Sequence, residues 1–265
     1  MVTEKKSKYL NRLRNLIVNS PVMVLLIWEL FVRLNFIHKG YFPPPSAIIT
    51  RLFYLVFQSS EFLYTLWCSV KRLALGTLIA FPSGILLGFA IGLNQKFEKI
   101  LSPLLAITYP IPKLAILPFL MIIFGIGDTS KIAIIAIGVF YYVVFNVIHG
   151  VRELAATYFD IAFIYRVPLI KKLFYVIFKG VLPDILNGCK IGLGYGLIMV
   201  IASEFIAAKN GIGFFMWNAW DQFRIIDMYA SLVVLSVIGS AIFLGFDYLR
   251  DRLPWKKINH DNEAI

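Results

Sequence analysis

The chain has 265 residues, of which 59% are hydrophobic and only 15% charged, with a formal net charge of +11 and a mean hydropathy of +0.78. A soluble domain carries about 25% charged residues, so the composition excludes an ordinary globular enzyme and points to an all-α, polytopic integral membrane protein. The positive excess does not signal nucleic acid, because Lys and Arg fall in short segments between apolar runs.

Six membrane helices are predicted from apolar runs near or above about 18 residues: Leu16–Phe36, Leu66–Leu93, Ile100–Phe124, Lys131–His149, Val181–Ala208 and Met228–Leu249. The charged start MVTEKKSKYLNRLRNLIV imitates a secretion signal. The stretch after it is long, carries Trp28, Glu29 and Arg33, and offers no small-residue cleavage site, so it reads as a retained first span. Next come Phe42-Pro43-Pro44-Pro45-Ser46 and AIITRLFYLVF, which predict a stiff connector and a capped amphipathic helix on the membrane interface. A plain packing helix is the alternative.

In the second span Gly84, Gly88 and Gly92 form a flat stripe that another backbone can approach, read as internal helix packing. The third span contains YPIPKLAILPF, with Pro110, Pro112 and Pro118 around Lys113. Prolines break a helix, and a broken span is tolerated only where protein or a wet cavity covers it. A lysine there must face a cavity, a carboxylate or freed carbonyls, so it either lines a solute path, pairs for structure or snorkels. Gly125 to Ser130 predicts a tight turn with a capping residue for the fourth span. In the fifth span Gly188, Gly192 and Gly196 form a second stripe, for internal packing or a subunit interface, and Glu204 is a second functional candidate inside the membrane. Glu29 has Arg33 one turn away as a local partner.

Enzyme chemistry finds no support. The phosphate loop GxxxxGK[ST] and the motifs HExxH and GxSxG are absent. Cys68 and Cys189 lie in separate apolar runs and His38, His149 and His260 are scattered, so neither metal nor cofactor is expected. An even number of spans puts both termini on one side. Lys and Arg accumulate at both termini and in the loops at Lys96–Lys99 and Gly150–Pro183, which places these segments in the cytoplasm. Lys71 and Arg72 run against that trend. The Gly150–Pro183 segment is basic and amphipathic, a surface for a soluble partner or for anionic lipid.

From about Phe42 to about Arg252 the sequence resembles the permease subunit of binding-protein-dependent ABC importers, in the nitrate/sulfonate/taurine-type branch. The resemblance is carried by PIPKLAILPFLMIIFGIGDTSKIAIIAIGVF, SVKRLALGTLIAFPSGILLGFAIGL and SEFIAAKNGIGFFMW. It implies the type I ABC importer permease fold, with residues 1–60 as N-terminus, first span and outer helix, residues 61–250 as transmembrane domain, and residues 251–265 as cytoplasmic tail. It also implies a cytoplasmic coupling signature, EAA-x3-G followed by a short helix and a closing Leu-Pro. Counting back from Leu182-Pro183 places Asp160, Ile161 and Ala162 at the EAA position and Arg166 at the glycine. Placement on Glu153-Leu154-Ala155-Ala156 leaves too long a gap. Arg166 departs from the family, and Pro168 is expected to keep the bend.

The resemblance implies three protein partners: a separate cytoplasmic ABC ATPase subunit, an external substrate-binding protein and a second copy of the chain. Membrane lipid surrounds the assembly. Cargo in this branch is a small anion such as nitrate, bicarbonate, a sulfonate or taurine, or else an aromatic vitamin precursor. The path is expected past Pro110, Pro112, Lys113, Pro118 and Glu204. The rival reading is an ion-coupled carrier or channel that works without an ATPase, using Lys113 and Glu204.

Overall fold

The computed structural model describes residues 22–154, 164–166, 168 and 171–252. Among the described residues every regular element is helical: α1 (residues 22–33), α2 (Pro45–Gln58), α3 (Ser60–Leu93), α4 (Gln95–Thr108), α5 (Leu117–Phe124), α6 (Asp128–Glu153), α7 (Lys179–Ala207), α8 (Ile212–Asp221) and α9 (Ile225–Asp251). A 3-10 turn, Lys113–Ile116, leads into α5, and a π-helix, Lys172–Phe178, leads into α7. Among the described residues four helices are long and apolar enough to cross a membrane: α3, α6, Phe174–Ile206 and α9. The predicted third span is two helices rather than one, α4 and Lys113–Phe124, bent by 89°. Pro110 and Pro112 sit at the break, where neither supplies an N–H to continue the helical bonding of α4. The first predicted span is described from residue 22 and is helical to residue 33.

The chain divides into two compact units, Met1–Leu63 with Phe215–Val234, and Tyr64–Phe214 with Leu235–Ile265. In the first, Glu29 of α1 holds the start of α2. Its carboxylate accepts from the Ser46 N–H (3.0 Å), from Ser46 Oγ (2.8 Å) and from Arg33 Nε (2.6 Å). The expected cap of α2 is therefore not local. Pro44 is the N-cap residue and makes no side-chain bond, and a carboxylate from α1 meets the positive end of the helix instead. Arg51 on the same helix binds Asp227 at the start of α9 (2.5 Å).

The second unit is organised around α6. Ile135, Val139, Val143 and Val147 are fully enclosed and Val151 nearly so, and they recur at every fourth position as one ridge. That ridge fits a groove on α3. A Cβ added at Gly76 would lie 2.6 Å from Ile135 Cγ2, one at Gly84 2.9 Å from Val143 Cβ, one at Gly88 2.6 Å from Val147 Cβ, and one at Gly92 2.8 Å from Val151 Cβ. Only glycine permits this approach. The pairs ascend together, so α3 and α6 run parallel, and the chain between them must return. The bent α4–α5 segment supplies that crossing.

Helix α7 presses a second glycine stripe on α6 in the opposite sense. A Cβ at Gly188 would meet Asn146 Cβ at 2.8 Å, one at Gly192 Val139 Cγ1 at 3.0 Å, and one at Gly196 Val139 Cγ2 at 3.0 Å. The fifth-span stripe is thus filled by α6 of the same chain. Gly194, off the stripe, faces Phe243 of α9. The Gly88→Ala substitution is expected to destabilise the detergent-solubilised protein by about 1–3 kcal/mol through overpacking. Combined with Val147→Gly, which removes the clashing Cβ, the loss should be smaller than the sum of the two single losses in thermal unfolding followed by size exclusion.

Candidate functional site

The break between α4 and α5 frees backbone carbonyls that a continuous helix would satisfy. Lys113 satisfies them. Its ammonium donates to the carbonyls of Thr108 (3.0 Å), Tyr109 (2.7 Å) and Ile111 (3.0 Å), and it lies 4.2 Å from the Tyr141 ring centre and 5.5 Å from that of Tyr109. A cation at the C-terminal end of α4 also meets the negative pole of that helix. No carboxylate among the described residues pairs with it. The Tyr141 hydroxyl donates to Thr108 Oγ1 (2.8 Å), tying the last turn of α4 to α6.

Against this break lies a cavity of about 290 Å³, lined by Tyr109 to Lys113 and by Gly138, Tyr141, Tyr142 and Tyr195. Pro110 and Pro112 are therefore on its wall. Pro118 is not; it sits in the first turn of α5, where its missing N–H costs no hydrogen bond.

Glu204 belongs to a different cluster, built around Arg72 of α3, whose side chain is only 2% exposed. Arg72 Nη1 donates to Glu204 Oε1 (2.6 Å) and to the Asn210 carbonyl (2.9 Å). Its Nε and Nη2 donate to Asp128 Oδ1 (2.9 and 2.6 Å), and Nη2 also donates to Asn210 Oδ1. Glu204 in turn accepts from Ser69 Oγ (2.8 Å) and from the Gly213 N–H (2.8 Å), and Ser69 Oγ accepts from the Ile212 N–H (2.7 Å). One guanidinium thus joins α3, the start of α6, the end of α7 and the 210–213 turn. Gly211 makes the turn possible. Its φ is +113°, and a Cβ there would collide with the Glu204 carboxylate.

The sequence points to Glu204 but not to its partners. Arg72 stands out there only as an exception to the charge trend. Asp128 falls in the predicted capping turn, yet the N-cap residue of α6 is Gly127, with no side-chain bond, and the Asp128 carboxylate goes to Arg72. Lys190 and Asp247, paired at 2.6 Å between α7 and α9, are likewise missed by sequence reasoning. A charge of each sign inside separate apolar runs is the signal that could have found both pairs. Tyr142 and Tyr195 give none, in a chain with 13 tyrosines.

In the loop after α6, Asp160, Ile161 and Ala162 lie outside the described residues. Ile164 and Tyr165 are 73% and 77% exposed. Arg166 has φ +47°, the left-handed region where glycine is at home. Pro168 is exposed. Leu182 and Pro183 are half-buried within α7 itself, which continues the π-helix without a gap. Among the described residues no group of three or more His, Cys, Asp or Glu could hold a metal ion.

The pattern of the binding-protein-dependent transport system inner membrane components matches residues 80–255, and the chain belongs to that family. It groups with the nitrate/sulfonate/taurine branch of ABC importer permeases. It is 32% identical to the taurine transport system permease protein TauC of Escherichia coli K12, covering 93% of this chain and 91% of that protein. It is 28% identical to the formylaminopyrimidine transport permease protein ThiX of Halalkalibacterium halodurans, covering 89% and 94%. The inward-facing MetNI methionine ABC transporter shares the fold, with a TM-score of 0.58 at 18% identity, covering 77% of this chain and 98% of that one. The protein is therefore a multi-pass inner-membrane ABC importer permease of the type I fold, a transport component rather than an enzyme, and ATP hydrolysis resides in a separate subunit.

Breaking a buried ion pair costs about 3–5 kcal/mol, because the remaining charge is left without compensation. Glu204→Ala leaves Arg72 with Asp128 and Asn210 but takes the acceptor from Ser69 Oγ and the Gly213 N–H, so it is expected to cost less than that full penalty and to lower recovery of monodisperse protein. Glu204→Gln keeps an acceptor for the Gly213 N–H and should lose less, as judged by yield and thermal unfolding.

Proposed function

We propose that two copies of this chain form the pathway of an ATP-driven importer, docked on cytoplasmic ATPase subunits and fed by an external substrate-binding protein. The Lys and Arg distribution supports cytoplasmic termini and a cytoplasmic Gly150–Pro183 loop. In that orientation the 209–224 segment, with Trp220 half-exposed, faces the binding protein. Residues 61–250 form the transmembrane domain, flanked by the N-terminal 1–60 segment and the 251–265 tail. The cargo is a small solute of the kind named for the relatives, and the charge of Lys113, with no carboxylate partner among the described residues, favours an anion such as a sulfonate, taurine, nitrate or bicarbonate. Pro110, Pro112 and Lys113 line its path and Pro118 resets the helix beyond. Glu204 anchors the wall rather than meeting the solute.

The observation that carries the coupling assignment is Arg166. It takes a left-handed backbone at the position where the related coupling signature has glycine. The bend is thus kept although the residue has changed. Ile164 and Tyr165 offer apolar surface for an ATPase groove, and Asp160, Arg166, Lys171 and Lys172 supply charge at its rim. Closure of the ATPases on ATP then biases one of two packed states of the spans, which is alternating access.

Two substitutions separate backbone from charge. A left-handed conformation costs an L-residue about 1–2 kcal/mol and suits a β-branched residue least. Arg166→Gly is therefore expected to keep ATPase co-purification and ATP-driven uptake, while Arg166→Val lowers both. Asp160→Lys combined with Arg166→Glu should abolish co-purification, and intact assembly in that double variant would sink the docking assignment.

A further inference from the structure

The cavity beside the broken span carries a recognition chemistry of its own. One wall is the Lys113 ammonium, fixed by three carbonyls and two tyrosine rings and lacking a carboxylate partner among the described residues. Its hydrogens are committed, so it attracts an anion through its field rather than by direct donation. Much of the remaining lining is aromatic. Tyr142 and Tyr195 lie with ring centres 4.9 Å apart, and Gly138 lets Tyr195 settle on α6, since a Cβ there would come within 2.9 Å of Tyr195 Cε1. Tyrosine adds hydroxyl donors to apolar faces. A volume of about 290 Å³ falls just below the range of about 300–1,000 Å³ that suits drug-sized ligands, and so admits only a small solute.

We infer that this cavity is a selective station for a small organic anion, whose charged head lies in the field of Lys113 and whose short apolar stem lies on Tyr142 and Tyr195. The inference rests on reading Pro110 to Lys113 as path-lining, and it places part of the selectivity in the permease itself, beyond that of a binding protein. Cations are repelled by the same charge.

Ile111 lines the cavity and offers a reporter position. The detergent-purified permease–ATPase complex carrying Ile111→Cys is treated with anionic sulfonatoethyl methanethiosulfonate or with its cationic trimethylammonioethyl analogue. The parent complex, whose Cys68 and Cys189 are buried, gives the background. After correction for the rates with a free thiol, the anionic reagent is expected to react about tenfold faster, an advantage that added salt reduces. Ethanesulfonate should slow the reaction, and Tyr142→Phe with Tyr195→Phe should weaken that protection. Adding Lys113→Gln should remove the charge preference.

Equal rates for the two reagents, a cation preference, or an anion preference that survives Lys113→Gln would overturn the inference. If Lys113→Gln does not assemble, the rates and the ethanesulfonate protection measured with Lys113 in place decide alone. The labelling needs neither ATP nor transport, so its failure leaves ATP-driven uptake standing. Conversely, loss of ATP dependence in proteoliposomes would sink the importer reading without touching the labelling result.

Discussion

Inside a bilayer no water completes an unfinished hydrogen bond, and that constraint shapes each polar feature of this chain. A span can break only if the chain itself supplies the missing partners. At the α4–α5 break the partner is Lys113, which gathers the carbonyls of Thr108, Tyr109 and Ile111. Where four segments converge it is Arg72, whose donors all end on Asp128, Glu204 or Asn210. The same medium removes any hydrophobic preference for one helix over another, so association depends on close contact of backbones. The glycine grooves of α3 and α7 answer that requirement. Polar satisfaction and glycine packing are two responses to one solvent.

This division explains what could be read from the residues alone. Prolines act on the backbone, so the break at Pro110 and Pro112 is legible without its geometry. Glycine stripes are legible too, because absence of a side chain has only a few uses in a membrane helix. The ridge that fills them is not. Ile135, Val139, Val143, Val147 and Val151 sit in a helix that is apolar nearly all round, where no periodic contrast marks the packed face. Long-range polar pairings are the other blind spot. Asp128 could cap its own helix or reach elsewhere, and only the fold places Arg72 beside it. Likewise Glu29 has an obvious neighbour in Arg33, while its hold on Ser46 of α2 depends on a turn of the chain between them.

Arg166 holds a left-handed backbone, φ +47°, although it carries a Cβ. Glycine tolerates a left-handed backbone freely, whereas arginine holds it only with support from its surroundings.

The ridge on α6 has a mechanical corollary. Its side chains repeat every four residues along a helix that rises 1.5 Å per residue, so neighbouring notches lie about 6 Å apart. Small axial displacements would drive valine methyls into the shoulders between glycines. Helices α3, α6 and α7 thus behave as toothed parts in mesh, able to hold one setting or jump a full notch but not to creep. A subunit built in this way transmits force as a single lever, and its compliance is left to segments outside the mesh.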